Sequence, residues 1–307
     1  MKEFKKVDKI FIRSNNSTTK IFNRYLGCLI AFFLLTFAYN LLSGNSVIAF
    51  NLLKSTLLSL LISMVVGIIF NCIKKDRSFF ELLFKDNILS IAIILGLCSF
   101  GASYVMIIIA SIISIIVRKS FKNITLSASL YGILIILLSL MITNRMDTPL
   151  TNLGDLLYVG TYDSVVLFYG KIYSYLFGVG YYLSPIFALI IFIYLFYKKS
   201  IKYNIVVTYI LTFSVIMLLF GMFNDMNIWY LFFQLCTGNI LFLTVFCLVD
   251  YPNTPITTEG QVIYGISLGI ISSILRFIVP ELAIVLTLIL GPLILTRVID
   301  NISVKLK

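Results

Sequence analysis

The chain has 307 residues, 60% of them hydrophobic and 12% charged, with a mean hydropathy of +1.04. An ordinary soluble domain is about 45–50% apolar and about 25% charged, so a soluble globular protein, a nucleic-acid binder and a disordered tail are excluded. The formal net charge of +11 then points to the positive-inside bias of a membrane protein rather than to an acidic ligand.

A membrane-spanning helix needs about 20 mainly apolar residues, so this length has room for about ten in one membrane domain. Residues 1–24 are polar and basic, carrying Lys2, Lys5, Lys6, Lys9, Arg13, Lys20 and Arg24. No convincing cleavage site precedes the first apolar run, so they read as an uncleaved cytoplasmic tail. Apolar runs follow at 25–42, 47–73, 88–98, 102–117 and 125–143. A second set occupies 176–197, 205–223, 228–249, 262–278 and 281–297. The third and fourth runs are short and divided by Ser99 to Ser103, around Gly101; they read as two short spans or one broken element. Pro280 and Glu281 form a tight break between the last two. The predicted architecture is an all-α polytopic membrane protein of about ten spans, with its membrane domain over 25–300 and a short tail at 301–307.

The basic residues test this order. Lys74, Lys75, Arg77 and Lys85 follow the second run, Arg118, Lys119 and Lys122 the fourth, and Lys198, Lys199 and Lys202 the sixth. Arg297, Lys305 and Lys307 lie in or next to the C-terminal tail. The opposite loops hold Arg145 and Lys171 against Asp147, Asp155, Asp163, Asp225 and Glu281. Both termini are therefore expected on the cytoplasmic side, and the longest interspan stretch, 144–175, outside it. The spans divide as five plus five. An odd number in each half would make any repeat inverted, as in many transporters, although no strong internal sequence repeat is visible.

Several features could carry chemistry. The loop at 250–261 reads Asp-Tyr-Pro-Asn-Thr-Pro-Ile-Thr-Thr-Glu-Gly-Gln, without Lys or Arg. Irregular backbone at membrane depth persists only where protein buries it or a cavity hydrates it. It is either a plain surface loop or part of a ligand site offering donors, a carboxylate and a rigid turn. Lys54 lies in the second span and Arg276 near the outer end of the ninth. Each either snorkels to the interface or points into the bundle, toward an anionic cofactor or a carboxylate such as Glu281. Tyr158, Tyr162, Tyr169, Tyr173, Tyr175, Tyr181 and Tyr182 cluster around the outer segment, as an interfacial aromatic belt or as a stacking surface for a flat ring. The chain has no histidine, and its five cysteines lie far apart in or beside apolar runs, so neither a metal site nor a disulfide framework is implied. No Walker A, dinucleotide-binding or HExxH pattern is present, and Ser or Thr nucleophiles lack a His base. No catalytic residue is assigned.

Read with its flanks, the 250–261 loop resembles that of the NqrB/RnfD family, flavin-carrying membrane subunits of bacterial ion-translocating oxidoreductase complexes. The resemblance lies closer to RnfD. It rests on Asp250, Thr254-Pro255, Gly260-Gln261, Tyr264-Gly265, Gly269 and Arg276, with Glu281, Ala283, Gly291-Pro292, Leu293 and Asp300 beyond them. Ile12-Arg13-Ser14, Ser17-Thr18 and Lys20-Ile21 resemble the family's polar stretch before its first span. The resemblance implies a non-autonomous subunit in the bacterial cytoplasmic membrane that carries FMN, and it leaves open a second, non-covalent flavin. Thr148 would hold FMN through a phosphoester bond, and Asp250, Asn253 and Thr254 would line the inner half of the bundle. Arg276 would offset phosphate or flavin-anion charge. Implied partners are the other membrane and extracytoplasmic subunits, a flavin transferase and the bilayer, with no nucleic acid. The chain departs from the pattern at Arg145-Met146-Asp147, where the family has small residues before its Thr-Pro-Leu, and at Tyr251, where the family has Pro. These departures keep open a flavin-free scaffold or a small-solute transporter or channel.

Overall fold

The computed structural model describes residues 18–74, 87–99, 101–121, 124–142, 176–178, 183–224, 228–248, 254–280, 282–296 and 299. All regular structure in these residues is helical. The first half contains α1 (Thr18–Leu42), α2 (Ser46–Lys74), α3 (Ile88–Cys98), α4 (Tyr104–Ser120) and α5 (Ala128–Ile142). The second contains α6 (Pro185–Tyr197), α7 (Tyr203–Phe223), α8 (Trp229–Cys236), α9 (Ile240–Phe246), α10 (Thr258–Ile278) and α11 (Ala283–Leu290), which runs on into a π-helical turn at Gly291–Leu295.

Four stretches are long and apolar enough to cross a bilayer: Lys20–Leu42, Ser46–Cys72, Tyr203–Phe223 and Thr258–Ile278. The run expected as one span at 228–249 is broken. Its two helices, α8 and α9, meet at 53°, and together they would make a fifth crossing. The break falls at Thr237-Gly238-Asn239, where Gly238 (φ +70) and Asn239 (φ 57) are left-handed and the helical ladder cannot continue. Shorter apolar helices, Ile88–Cys98, Ala128–Ile142, Pro185–Tyr197 and Ala283–Leu295, lie at four of the other expected positions, and α4 lies at the fourth expected run, 102–117.

Two boundaries differ from the sequence reading for local chemical reasons. The sixth helix begins at Pro185 rather than 176, because Ser184 caps it by accepting from the Phe187 N–H at 3.3 Å and Pro185 occupies its first turn. The ninth expected span begins at Thr258 rather than 262. Thr257 caps it through the Gly260 N–H at 3.1 Å, so its polar first turn belongs to the helix. The segment around Gly101 (φ +80) is a turn between α3 and α4, and both helices pack on α2.

Close backbone approach organises both halves. In the first, Ser55 and Ser59 of α2 donate to the carbonyls of Gly96 (3.0 Å) and Ala92 (2.8 Å) on α3. A Cβ on Gly96 would stand 2.6 Å from the Thr56 Cα, so only glycine allows that contact. In the second half, Gly265 and Gly269 of α10 face Thr208 and Thr212 of α7. Small residues at four-residue spacing let membrane helices approach in this way. Phe32 of α1 meets Phe242 and Phe246 of α9 at 4.8 and 6.3 Å and Phe187 of α6 at 6.4 Å, which ties the halves through an aromatic core.

The halves also share a local signature that hydropathy hides. Asn87 (φ 58) precedes Ile88-Leu89 at the start of α3, and Asn239 (φ 57) precedes Ile240-Leu241 at the start of α9. Each opens a short helix that is almost wholly buried. The next helix, α4 or α10, carries an arginine two residues before its end, Arg118 or Arg276.

Candidate functional site

Arg276 gathers three polar contacts inside the described bundle. It sits in the last turn of α10 and is 0% exposed, so it points inward and does not snorkel. Its Nε donates to Gln234 Oε1 at 2.9 Å and its Nη2 to Thr237 Oγ1 at 2.6 Å. Its Nη1 donates to the Pro280 carbonyl. The guanidinium therefore joins α8, the break after α8 and the turn after α10. Gly238 makes room for it, since a Cβ there would lie 2.6 Å from Nη1. Asn239 holds the other side of the break by accepting from the Leu183 N–H at 2.7 Å, just before α6.

All three acceptors on Arg276 are neutral. Guanidinium has five N–H donors, and three are used here, which leaves two and a full positive charge without a carboxylate among the described residues. An anionic group would complement that charge. A neighbouring apolar cavity at the α7–α8 corner, beside Gly221 and Tyr230, has a volume of about 130 Å³. It lies below the roughly 300–1,000 Å³ usual for ligand pockets and is not itself a flavin-ring site.

The second candidate cluster lies at the opposite end of α10. Lys202, just before α7, donates to Thr254 Oγ1 at 2.7 Å and to the carbonyls of Thr254 (3.2 Å) and Pro255 (3.3 Å). Gln261 Nε2 donates to the carbonyls of Pro255 and Ile256, each at 3.4 Å. Thr254 is buried and its hydroxyl already accepts from Lys202, so this part of the loop is a packed, pinned turn. Beside it on the basic face, Arg24 donates to Ser200 Oγ at 2.8 Å and to the Lys198 carbonyl at 3.3 Å.

Thr254 and Arg276 are not brought together. Eighteen residues of α10 separate Thr258 from Arg276, roughly 27 Å along the axis. One ligand cannot bridge them, so they belong to two places in the bundle. Thr148, Asp250, Asn253 and Glu281 lie outside the described residues. Lys54 is exposed on α2 and does not point into the bundle. The sequence reading missed Gln234, Thr237 and Lys202. Gln234 was legible as an isolated amide in an apolar run, and Gly238-Asn239 as a turn dipeptide inside it.

Comparison with known proteins agrees with the resemblance noted above. Over 84 residues the chain is 33% identical to the D component of the Na(+)-translocating ferredoxin:NAD(+) oxidoreductase complex of Acetobacterium woodii. That stretch covers 27% of this chain and 24% of the relative, about a quarter of the relative's length. Residues 7–304 match the NQR2, RnfD, RnfE family, nearly the whole chain. The protein therefore belongs to the NQR2, RnfD, RnfE family.

Proposed function

We propose that this chain is an RnfD-type membrane subunit of an ion-translocating electron-transport complex in the bacterial cytoplasmic membrane, and that it carries flavin. The observation that carries the proposal is the family match over residues 7–304. The buried guanidinium of Arg276, whose three acceptors among the described residues are neutral, agrees with it. A flavin would supply one- and two-electron transfer; the protein's part is to place the ring and set its field. Arg276 would stabilise negative charge near the outer end of α10. Asp250, Asn253 and Thr254, the last of them held by Lys202, would serve a second, non-covalent flavin at the inner end. Thr148, on the outer segment, would anchor FMN through a phosphoester. The separation of Thr254 from Arg276 supports two flavin positions rather than one.

The topology proposed with it has about ten spans in an inverted five-plus-five plan, with both termini cytoplasmic. The paired Asn-Ile-Leu helix starts and the paired arginines support that plan. Partners would be the other membrane subunits, an extracytoplasmic flavoprotein subunit and a flavin transferase.

A second reading, a flavin-free scaffold or small-solute transporter, is favoured by Arg145-Met146-Asp147, which places bulk and a negative charge beside Thr148. Expression with and without a flavin transferase separates the two. In-gel fluorescence at 34.8 kDa that depends on the transferase and disappears in Thr148→Ala supports the first. Non-fluorescent protein with no copurifying flavin supports the second.

A further inference from the structure

Lys54 stands apart from the other exposed charges. Among the described residues, exposed charged side chains otherwise sit at helix ends: Lys20, Lys198, Lys199 and Glu259. Lys54 lies eight residues inside α2, about 12 Å from its start. It makes no hydrogen bond or ion pair with any described residue.

The surface around it is regular. Val47, Phe50, Lys54, Leu57, Leu61, Met64 and Ile68 follow one another at alternating three- and four-residue spacing. Val47, Phe50, Leu57 and Leu61 are each more than half exposed. That spacing makes a straight seam along which a second helix can lie at a shallow angle. Another face of α2 is already committed to α3 through Ser55, Ser59 and Gly96, and α2 also packs against α4. Asn51, exposed one turn before Lys54, adds an amide beside the ammonium. A single polar position in an otherwise apolar seam fixes the register of the helix that joins it.

We propose that this face of α2 is the docking surface for a transmembrane helix of another subunit, and that the helix carries a carboxylate level with Lys54. The charge selects the occupant. On a lipid-facing stripe the ammonium could only snorkel toward the interface and the amide, on its short side chain, would stay unmet, whereas a carboxylate on a neighbouring helix accepts from both. The proposal rests on the assignment of the chain to a multisubunit complex.

The test uses the intact complex, purified through a tag on this chain from its own membranes. A photo-crosslinking residue replaces Leu57 or Leu61, and Lys54 is changed to Arg, Met or Glu. Crosslinking is expected to reach one membrane subunit, on a helix with an intramembrane Asp or Glu. Lys54→Arg should retain that subunit. Lys54→Glu should reduce its recovery by more than about tenfold, and Lys introduced at the partner's carboxylate should restore it. The proposal is overturned if the crosslinks run only into lipid, if the partner helix has no carboxylate, or if Lys54→Glu recovers every subunit as wild type does. A wild-type chain that leaves the membrane alone contradicts the complex itself. An intact complex joined through another face contradicts only this interface.

Discussion

A guanidinium sealed inside an apolar bundle is costly unless its donors are met, and Arg276 donates to three acceptors among the described residues. Each buried acceptor left unpaired costs about 1–3 kcal/mol. Arg276→Met should therefore lower the melting temperature of the detergent-purified protein by several degrees or prevent its isolation. Arg276→Lys should recover part of the loss, because one ammonium can still reach some of the same oxygens. Gln234→Glu separates structure from function. It hands Arg276 a carboxylate, so the fold should hold, while the charge available to a flavin is cancelled. Normal melting with reduced flavin content is the expected result; unchanged flavin content would remove Arg276 from the flavin site. From sequence alone, Arg276 was visible as an intramembrane charge but its direction was not. Its depth near a helix end allowed both snorkelling and burial, and only the break at Gly238, which opens the space it fills, decides between them.

At the scale of elements, α7 and α10 run side by side because glycine stands wherever a threonine faces it. A Cβ on Gly265 would come within 1.9 Å of Thr208 Oγ1, and one on Gly269 within 2.8 Å of the Thr212 Cβ. Gly265→Val should push the helices apart and cost on the order of 1–3 kcal/mol. Combining it with Thr208→Ala should return part of that stability, and thermal melts of the two single variants and the double variant measure the coupling. The long spans α1, α2, α7 and α10 were legible because their apolar runs matched the membrane thickness. The α8–α9 break was not, because hydropathy over 228–249 stays high through it and averaging masks a three-residue turn. The start of α6 was obscured in the same way. Ser184-Pro185 is a helix-start signal, yet apolar residues from 176 onward blurred it. Local chemistry set these boundaries, and hydropathy reports only the environment.

At the scale of the molecule, the basic residues give an orientation, and the helices give it a frame. Lys198, Lys199 and Lys202 gather with Arg24 at one end of the bundle, while Arg276 is enclosed near the other. The proposed inverted plan is not visible as a sequence repeat; what the halves share is positions such as Asn87 and Asn239, whose backbone conformation matters. Orientation is tested by cysteine labelling in a background with Cys72 replaced by Ser. Asn152→Cys should react with a membrane-impermeant maleimide in intact cells, and Ser303→Cys only after permeabilisation; the reverse pattern would invert the topology. The central claim, a flavin-bearing subunit of an oxidoreductase complex, is tested most directly by peptide mass spectrometry on the chain purified from its own membranes. Trypsin releases Met146 to Lys171 as one peptide containing Thr148. The expected result is that peptide carrying one FMN as a phosphoester, together with peptides of other oxidoreductase subunits. An unmodified peptide from a chain that purifies without such subunits would contradict it.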